Sequence, residues 1–178
     1  LFELYPALCR SVSATTRAIR PGEVEGVNYF YKSGEQFRQM LEEDAFLEHF
    51  EIYGNHYGTP RAYVEKKLSE GKDVLLEIDV QGGLAVKQKV PGAVLIFLLP
   101  PSFEMLEARL RGRKTEDEKT IQTRLNASSR EIACMNEYKY AVVNDDVDVA
   151  AETVLRIMRA EKNRKTESVA GYLVHPQS

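Results

Sequence analysis

A chain of 178 residues with 43% apolar and 29% charged side chains has the composition of one ordinary globular domain, with room for a small inserted subdomain. Its formal charge of -3 excludes a general electrostatic attraction to nucleic acid or an anionic membrane, so any anion site must be built from local Arg and Lys clusters. No apolar run reaches the roughly 20 residues that span a bilayer, and Leu1–Pro6 lacks the basic segment and small-residue cleavage site of a signal peptide, so a cytoplasmic location is expected.

Along the chain, Ser11-Val12-Ser13-Ala14-Thr15-Thr16 reads as a short strand entering a polar loop, and Arg20-Pro21-Gly22-Glu23 as a turn. Tyr29-Phe30-Tyr31 suggests a second strand. Ser33 and Gln36 form a capping box, followed by Phe37, Met40 and Leu41 at helical spacing. Phe46 to Tyr57 reads as a hairpin around Gly54-Asn55. A helix from about Pro60 should end at Gly71, where a residue free of a Cβ suits the left-handed cap. The apolar runs Val74–Val80 and Ala93–Leu99 suit strands buried on both faces of a parallel sheet, with a helix between them and another carrying Phe103, Leu106 and Leu110. Thr115 and Glu118 form a second capping-box match, and Tyr140–Asn144 reads as one more buried strand. In the last helix, Val147, Ala150, Val154, Ile157 and Met158 form a core stripe, and the end from Lys165 has the look of a mobile tail. Strands alternating with helices predict an α/β fold with a parallel sheet, and 29–67 reads as a more polar insertion.

Cys9 and Cys134 fit no CxxC or Cys/His pattern and read as free thiols. His49, His56 and His175 lack metal-ligand spacing, so no metal held by protein side chains alone is expected. Glu77 and Asp79 close an apolar strand, where open α/β sheets bind ligands and a carboxylate can orient Mg2+ through water. Arg17 and Arg20 share a hydroxyl-rich loop, and paired guanidinium forks suit a phosphomonoester. Arg109, Arg111, Arg113 and Lys114 make the densest positive cluster, with Arg124 further on. Each of these has an ordinary structural reading when taken alone.

In this order, the motifs resemble those of guanylate kinases. The resemblance runs from Ser11 to about Glu161 and rests on Ser11–Arg17, Arg20–Glu23, Gly54-Asn55-His56-Tyr57-Gly58-Thr59, Leu76-Glu77-Ile78-Asp79-Val80-Gln81-Gly82, Arg111-Gly112-Arg113 and Val143-Asn144-Asp145-Asp146, with wording close to the bacterial branch. It implies a P-loop nucleoside monophosphate kinase core with a parallel sheet (1–28, 68–110 and 126–164), an inserted α+β GMP-binding subdomain (29–67), a helical lid (111–125) and a tail (165–178). It implies Mg2+-dependent phosphoryl transfer from ATP to GMP, with GMP and ATP as partners, no nucleic acid and no membrane. By the same resemblance Arg17, Arg20, Tyr29 and Tyr57 hold the GMP phosphate, while Ser13, Glu48 and Thr59 read guanine. Glu48 would accept the N1–H and N2–H2 donors of the base edge. Glu23, Glu77 and Asp79 complete the GMP site, with Mg2+ held through water near Glu77 and Asp79. Arg20, Arg113 and Arg124 are the implied catalytic set, and Arg109, Arg113, Asn144 and Asp145 the implied ATP-side residues.

The sequence departs from the family at its start. It contains no GxxxxGK[ST] loop, whose backbone N–H groups and Lys cradle donor phosphates, and Leu1 to Pro6 resembles the end of the helix that follows such a loop. The 178 residues alone are therefore expected to bind GMP but to catalyse poorly. The alternative is a catalytically inactive guanylate-kinase-like protein-interaction domain. Asp79, Arg113 and Arg124, which such domains tend to lose, are all present.

Overall fold

The computed structural model describes residues 1–52, 54–112 and 117–173, with 165–173 as backbone only. The chain forms two compact units, Phe2–Ala93 and Val94–Ser178, the second of which includes Leu1.

The first unit runs β1 (Leu8–Arg10), β2 (Ala14–Thr15), β3 (Phe30–Tyr31), α1 (Gly34–Glu42), β4 (Phe46–Ile52), β5 (Asn55–Pro60), α2 (Arg61–Ser69), β6 (Asp73–Leu75) and α3 (Val80–Lys89). β1 and β6 pair in parallel, with Leu8 opposite Asp73 and Arg10 opposite Leu75. β3, β2, β5 and β4 form a mixed sheet in that order. The predicted capping box is present, since Ser33 accepts from the Gln36 amide and Gln36 returns a bond to the Ser33 amide. This start turns Phe37 inward to stack on Phe46, with ring centroids 4.5 Å apart, over the buried Ala14. Gly54 and Gly71 hold φ of +74° and +76°, a conformation that lets the hairpin reverse and α2 stop without Cβ strain.

Two expected strands are shorter than their apolar runs. Of Val74–Val80 only Val74 and Leu75 pair in β6, and Val80 already opens α3. Asp79 accounts for the early stop, because its carboxylate caps the helix by accepting from the Gly82 amide at 2.8 Å. Leu76 and Ile78 pack instead against the buried Leu47, Val64 and Val86. Likewise Ser11–Thr16 is split, with pairing confined to Ala14 and Thr15, and Phe2–Leu4 forms turns where a helix end was expected.

The second unit runs β7 (Ile96–Leu99), α4 (Phe103–Gly112), α5 (Glu118–Ala133), a single 3-10 turn (Met135–Glu137), β8 (Tyr140–Val143) and α6 (Val147–Leu173). β7 and β8 pair in parallel from Ile96 opposite Tyr140 to Leu99 opposite Val143. One core joins Leu110, Ile121 and Leu125, and another joins Val142, Ala150 and Val154 with Leu1, Ile157 and Met158. Several expectations need correction here. Leu98 and Val143 are exposed, so these strands are not buried on both faces, and Val147 lies outside the stripe. The helix after the basic cluster is capped by Asp117, which accepts from the Thr120 amide, while Thr115 lies outside the described residues. The expected tail continues as helix through Leu173. Cys9 and Cys134 are free thiols.

Candidate functional site

The first unit concentrates chemistry at two places. One centres on Glu48, in the middle of β4 and only 2% exposed. It lies between the buried Leu47 and the exposed His49, where the pairing of β4 with β5 is irregular, and β5 presents the fully buried Thr59. Thr59 Oγ1 donates to Glu48 Oε1 at 2.5 Å, while Glu48 Oε2 is buried without a hydrogen-bond partner. Burial raises the Glu48 carboxyl above the usual carboxylate range, the Thr59 bond opposes that rise, and the negative charge of Asp79 adds to it. A Cβ built on Gly82 would lie 3.4 Å from both Glu48 Oε2 and Asp79 Oδ1, so bare backbone separates the two carboxylates. A buried carboxylate oxygen with no donor is costly unless a ligand supplies one.

The second place is the loop after β2. Arg17 Nη2 donates to Glu23 Oε1 at 2.7 Å, and the Arg17 guanidinium lies over the Tyr29 ring at 5.4 Å. Tyr29 in turn meets Tyr57 edge-on at 5.9 Å, which places the Tyr57 ring beside the same cluster. Glu23 Oε2 accepts from the Arg20 amide at 2.8 Å and from the Tyr31 hydroxyl at 2.7 Å. With three donors, led by Arg17, the Glu23 carboxyl drops to about 2, and Glu23 raises Arg17 in return. The Arg17 guanidinium is thus gathered with phenols from β3 and β5, while Arg20 contributes its amide and has an exposed side chain. Such a set can take an anion with several N–H and O–H donors.

The expected residues are only partly brought together. Arg17, Glu23, Tyr29 and Tyr57 form one cluster, and Glu48, Thr59 and Asp79 another. Ser13 enters through its backbone, its carbonyl accepting from the Phe30 amide at 2.9 Å. Glu77 is exposed and pairs with Arg10 at 3.2 Å. Tyr31 is a member that motif reading passed over. Its signal was the two-residue spacing from Tyr29, which sets both phenols on one side of a strand.

In the second unit, Arg109 Nη1 donates to the Asn144 carbonyl at 2.7 Å and Nη2 to the Asp145 carbonyl at 3.2 Å. This ties α4 to the end of β8 beside a shallow hollow of about 210 Å³ lined by Leu98, Leu99, Pro100, Leu106, Arg109 and Asn144. Arg111 is held by Glu107 and Glu118, so one cation of the basic cluster is already neutralised. Arg124 is exposed on α5, and Arg113 lies outside the described residues. Among the described residues there is no group of three or more His, Cys, Asp and Glu able to hold a metal ion, and no helix is long and apolar enough to cross a membrane.

Residues 2–161 match the guanylate kinase family. The guanylate kinase of Caldanaerobacter subterraneus subsp. tengcongensis is 50% identical over 173 residues, covering 97% of this chain and 84% of that one. That of Streptococcus thermophilus is 52% identical over 162 residues, covering 91% and 77%. The crystal structure of guanylate kinase from Anaplasma phagocytophilum superimposes with a TM-score of 0.69 at 35% identity, over 89% of this chain and 78% of that one. With a family match over most of its length, and relatives at half identity across nearly all of it, the chain belongs to the guanylate kinase family.

Proposed function

We propose that this chain acts as a guanylate kinase, with the first unit binding GMP and ATP donating the phosphoryl group that yields ADP and GDP. The observation that carries the base assignment is Glu48, whose Oε2 is buried without a partner while Thr59 holds Oε1. A carboxylate is an acceptor only. Guanine offers N1–H and N2–H2 along one edge, whereas adenine presents an acceptor at N1, which would leave the buried charge unsatisfied. Selectivity for GMP over AMP follows from that difference.

The phosphate of GMP goes to Arg17, Arg20, Tyr29 and Tyr57. Arg17 holds the Ala18 carbonyl through Nη1 and Glu23 through Nη2, and its guanidinium has further N–H donors with which to meet a phosphate beside Arg20. Because a phosphomonoester's second pKa is about 6, the attacking oxygen is already anionic near neutral pH, and no strong general base is needed. The chain's own work is to orient the acceptor and neutralise charge. Arg113 and Arg124 are assigned to the charge that develops on the transferring group, and Arg109, Asn144 and Asp145 to the adenine side.

Glu77 and Asp79 fit a water-mediated Mg2+. Glu77 is solvent-exposed, with an equally exposed Arg10 as its ion-pair partner, and Mg2+ prefers to keep several waters. Mg2+ held there through water would supply positive charge to offset that of the donor phosphates. The sequence holds no GxxxxGK[ST] loop, so no residue here is assigned to cradling those phosphates. A cytoplasmic setting, where both nucleotides are found, agrees with this reading. Nothing observed favours the inactive interaction domain.

Two measurements test the proposal. Calorimetric titration of the 178-residue chain should show GMP binding with AMP far weaker, and equal affinities would defeat the Glu48 assignment. A coupled assay on the natural gene product should show ADP formation that depends on GMP, ATP and Mg2+. Its absence would leave the interaction-domain alternative standing.

A further inference from the structure

Glu23 has three donors, and they come from two different parts of the fold. Arg17 Nη2 and the Arg20 amide belong to the loop that Glu23 itself sits on. The third, the Tyr31 hydroxyl, belongs to the sheet. Tyr31 lies in β3 opposite Thr15 of β2, and the neighbouring Lys32 amide donates to the Thr15 carbonyl at 2.8 Å. Its own amide donates to Glu25 Oε2 at 2.9 Å, and its ring stands edge-on to Tyr29 at 6.1 Å. Tyr31 is therefore fixed at its backbone and at its ring before its hydroxyl reaches Glu23. The loop is less well held, since Ile19, Val24 and Val27 are all exposed and bury little apolar area.

We propose that Tyr31 is a positioning residue for the acceptor phosphate, its hydroxyl anchoring Glu23 to the sheet so that Glu23 presents Arg17 and the Arg20 backbone in their binding geometry. This deepens, and rests on, the reading of Arg17 and Arg20 as phosphate-binding groups. The phenol is set back from the phosphate and acts through the carboxylate. Without the hydroxyl, Glu23 and Arg17 still pair, but Glu23 itself keeps only donors from its own loop. Ordering of that loop then opposes binding, and affinity falls for ligands that use Arg17. A nucleoside lacking the phosphate does not use Arg17 and escapes the loss.

The experiment is calorimetric titration of GMP and of guanosine into the 178-residue chain, its Tyr31→Phe variant, Glu23→Ala, and the double variant. Tyr31→Phe should weaken GMP by about three- to tenfold, the range for one lost hydrogen bond, and leave guanosine unchanged. In the Glu23→Ala background, Tyr31→Phe should add nothing, because the anchored group is gone. Unchanged GMP affinity, an equal loss for guanosine, or additive losses in the double variant would each overturn the inference. Failure of the unsubstituted chain to bind GMP would overturn the acceptor-site reading itself, and this inference with it.

Discussion

Thr59 holds one oxygen of Glu48 at 2.5 Å and leaves the other buried with no donor, the oxygen that the proposed reading gives to the guanine edge. Glu48→Gln should raise the melting temperature of the free chain, because a neutral amide is cheaper to bury than a carboxylate. It should weaken GMP binding by about ten- to a hundredfold, the range for losing hydrogen bonds to a charged group. Calorimetry and a thermal melt on the same sample check both. The pH dependence follows from the raised Glu48 carboxyl. As pH falls, the folded protein protonates Glu48 before the unfolded chain does, so this group's contribution to stability rises while GMP affinity declines. Glu48→Gln should flatten both trends.

Asp79 has a structural role as a helix cap and a proposed binding role, and substitutions can separate them. Its carboxylate caps α3 through the Gly82 amide. Asp79→Ala should cost about 1 kcal/mol in urea denaturation, whereas Asp79→Asn keeps an N-cap acceptor and should stay within about 0.5 kcal/mol of the parent. Both should lower GMP-dependent turnover. Turnover that tracks stability alone would leave Asp79 a helix cap and nothing more.

Gly58 lies in β5 against the Phe46 ring. A Cβ there would sit 2.7 Å from Phe46 Cδ1 and 3.1 Å from the Glu48 carbonyl oxygen. Gly58→Ala must displace the stacked Phe37–Phe46 pair or the strand that carries Glu48. The expected loss is about 1–3 kcal/mol, the usual cost of overpacking, with weakened GMP binding alongside. Urea denaturation and calorimetry measure the two effects.

Glu23 should contribute stability near neutral pH that is lost in acid. Its carboxyl falls from an ordinary 4.5 to about 2 in the folded chain, chiefly through Arg17. A depressed folded pKa stabilises above the unfolded value, and that stabilisation is lost as pH falls from 4.5 through about 2. The melting-temperature gap between the parent chain and Glu23→Gln should therefore be widest near neutral pH and shrink across that interval. A constant gap would mean that the Arg17–Glu23 pair is not the source.

Much of the architecture was legible in the residues because it is enforced locally. The capping box at Ser33 and Gln36, the hairpin glycine Gly54 and the stop at Gly71 each act within a few residues, and each stands where the sequence puts it. Apolar runs were less informative. Leu76 and Ile78 look like strand, yet they fill the core beside Leu47 because Asp79 has begun a helix. Asp117 took the cap expected of Thr115, since either acceptor before the same helix could serve.

The sequence by itself determined the family, the α/β class and most of the candidate binding residues, because motifs and caps are written in short, ordered strings. Only the tertiary structure decided which oxygen of Glu48 is left without a donor and that Glu23 is anchored by Tyr31. Those facts depend on hydrogen bonds across eleven and eight positions. Such bonds form when strand pairing brings the partners together, and no local pattern specifies which donor an acceptor will meet.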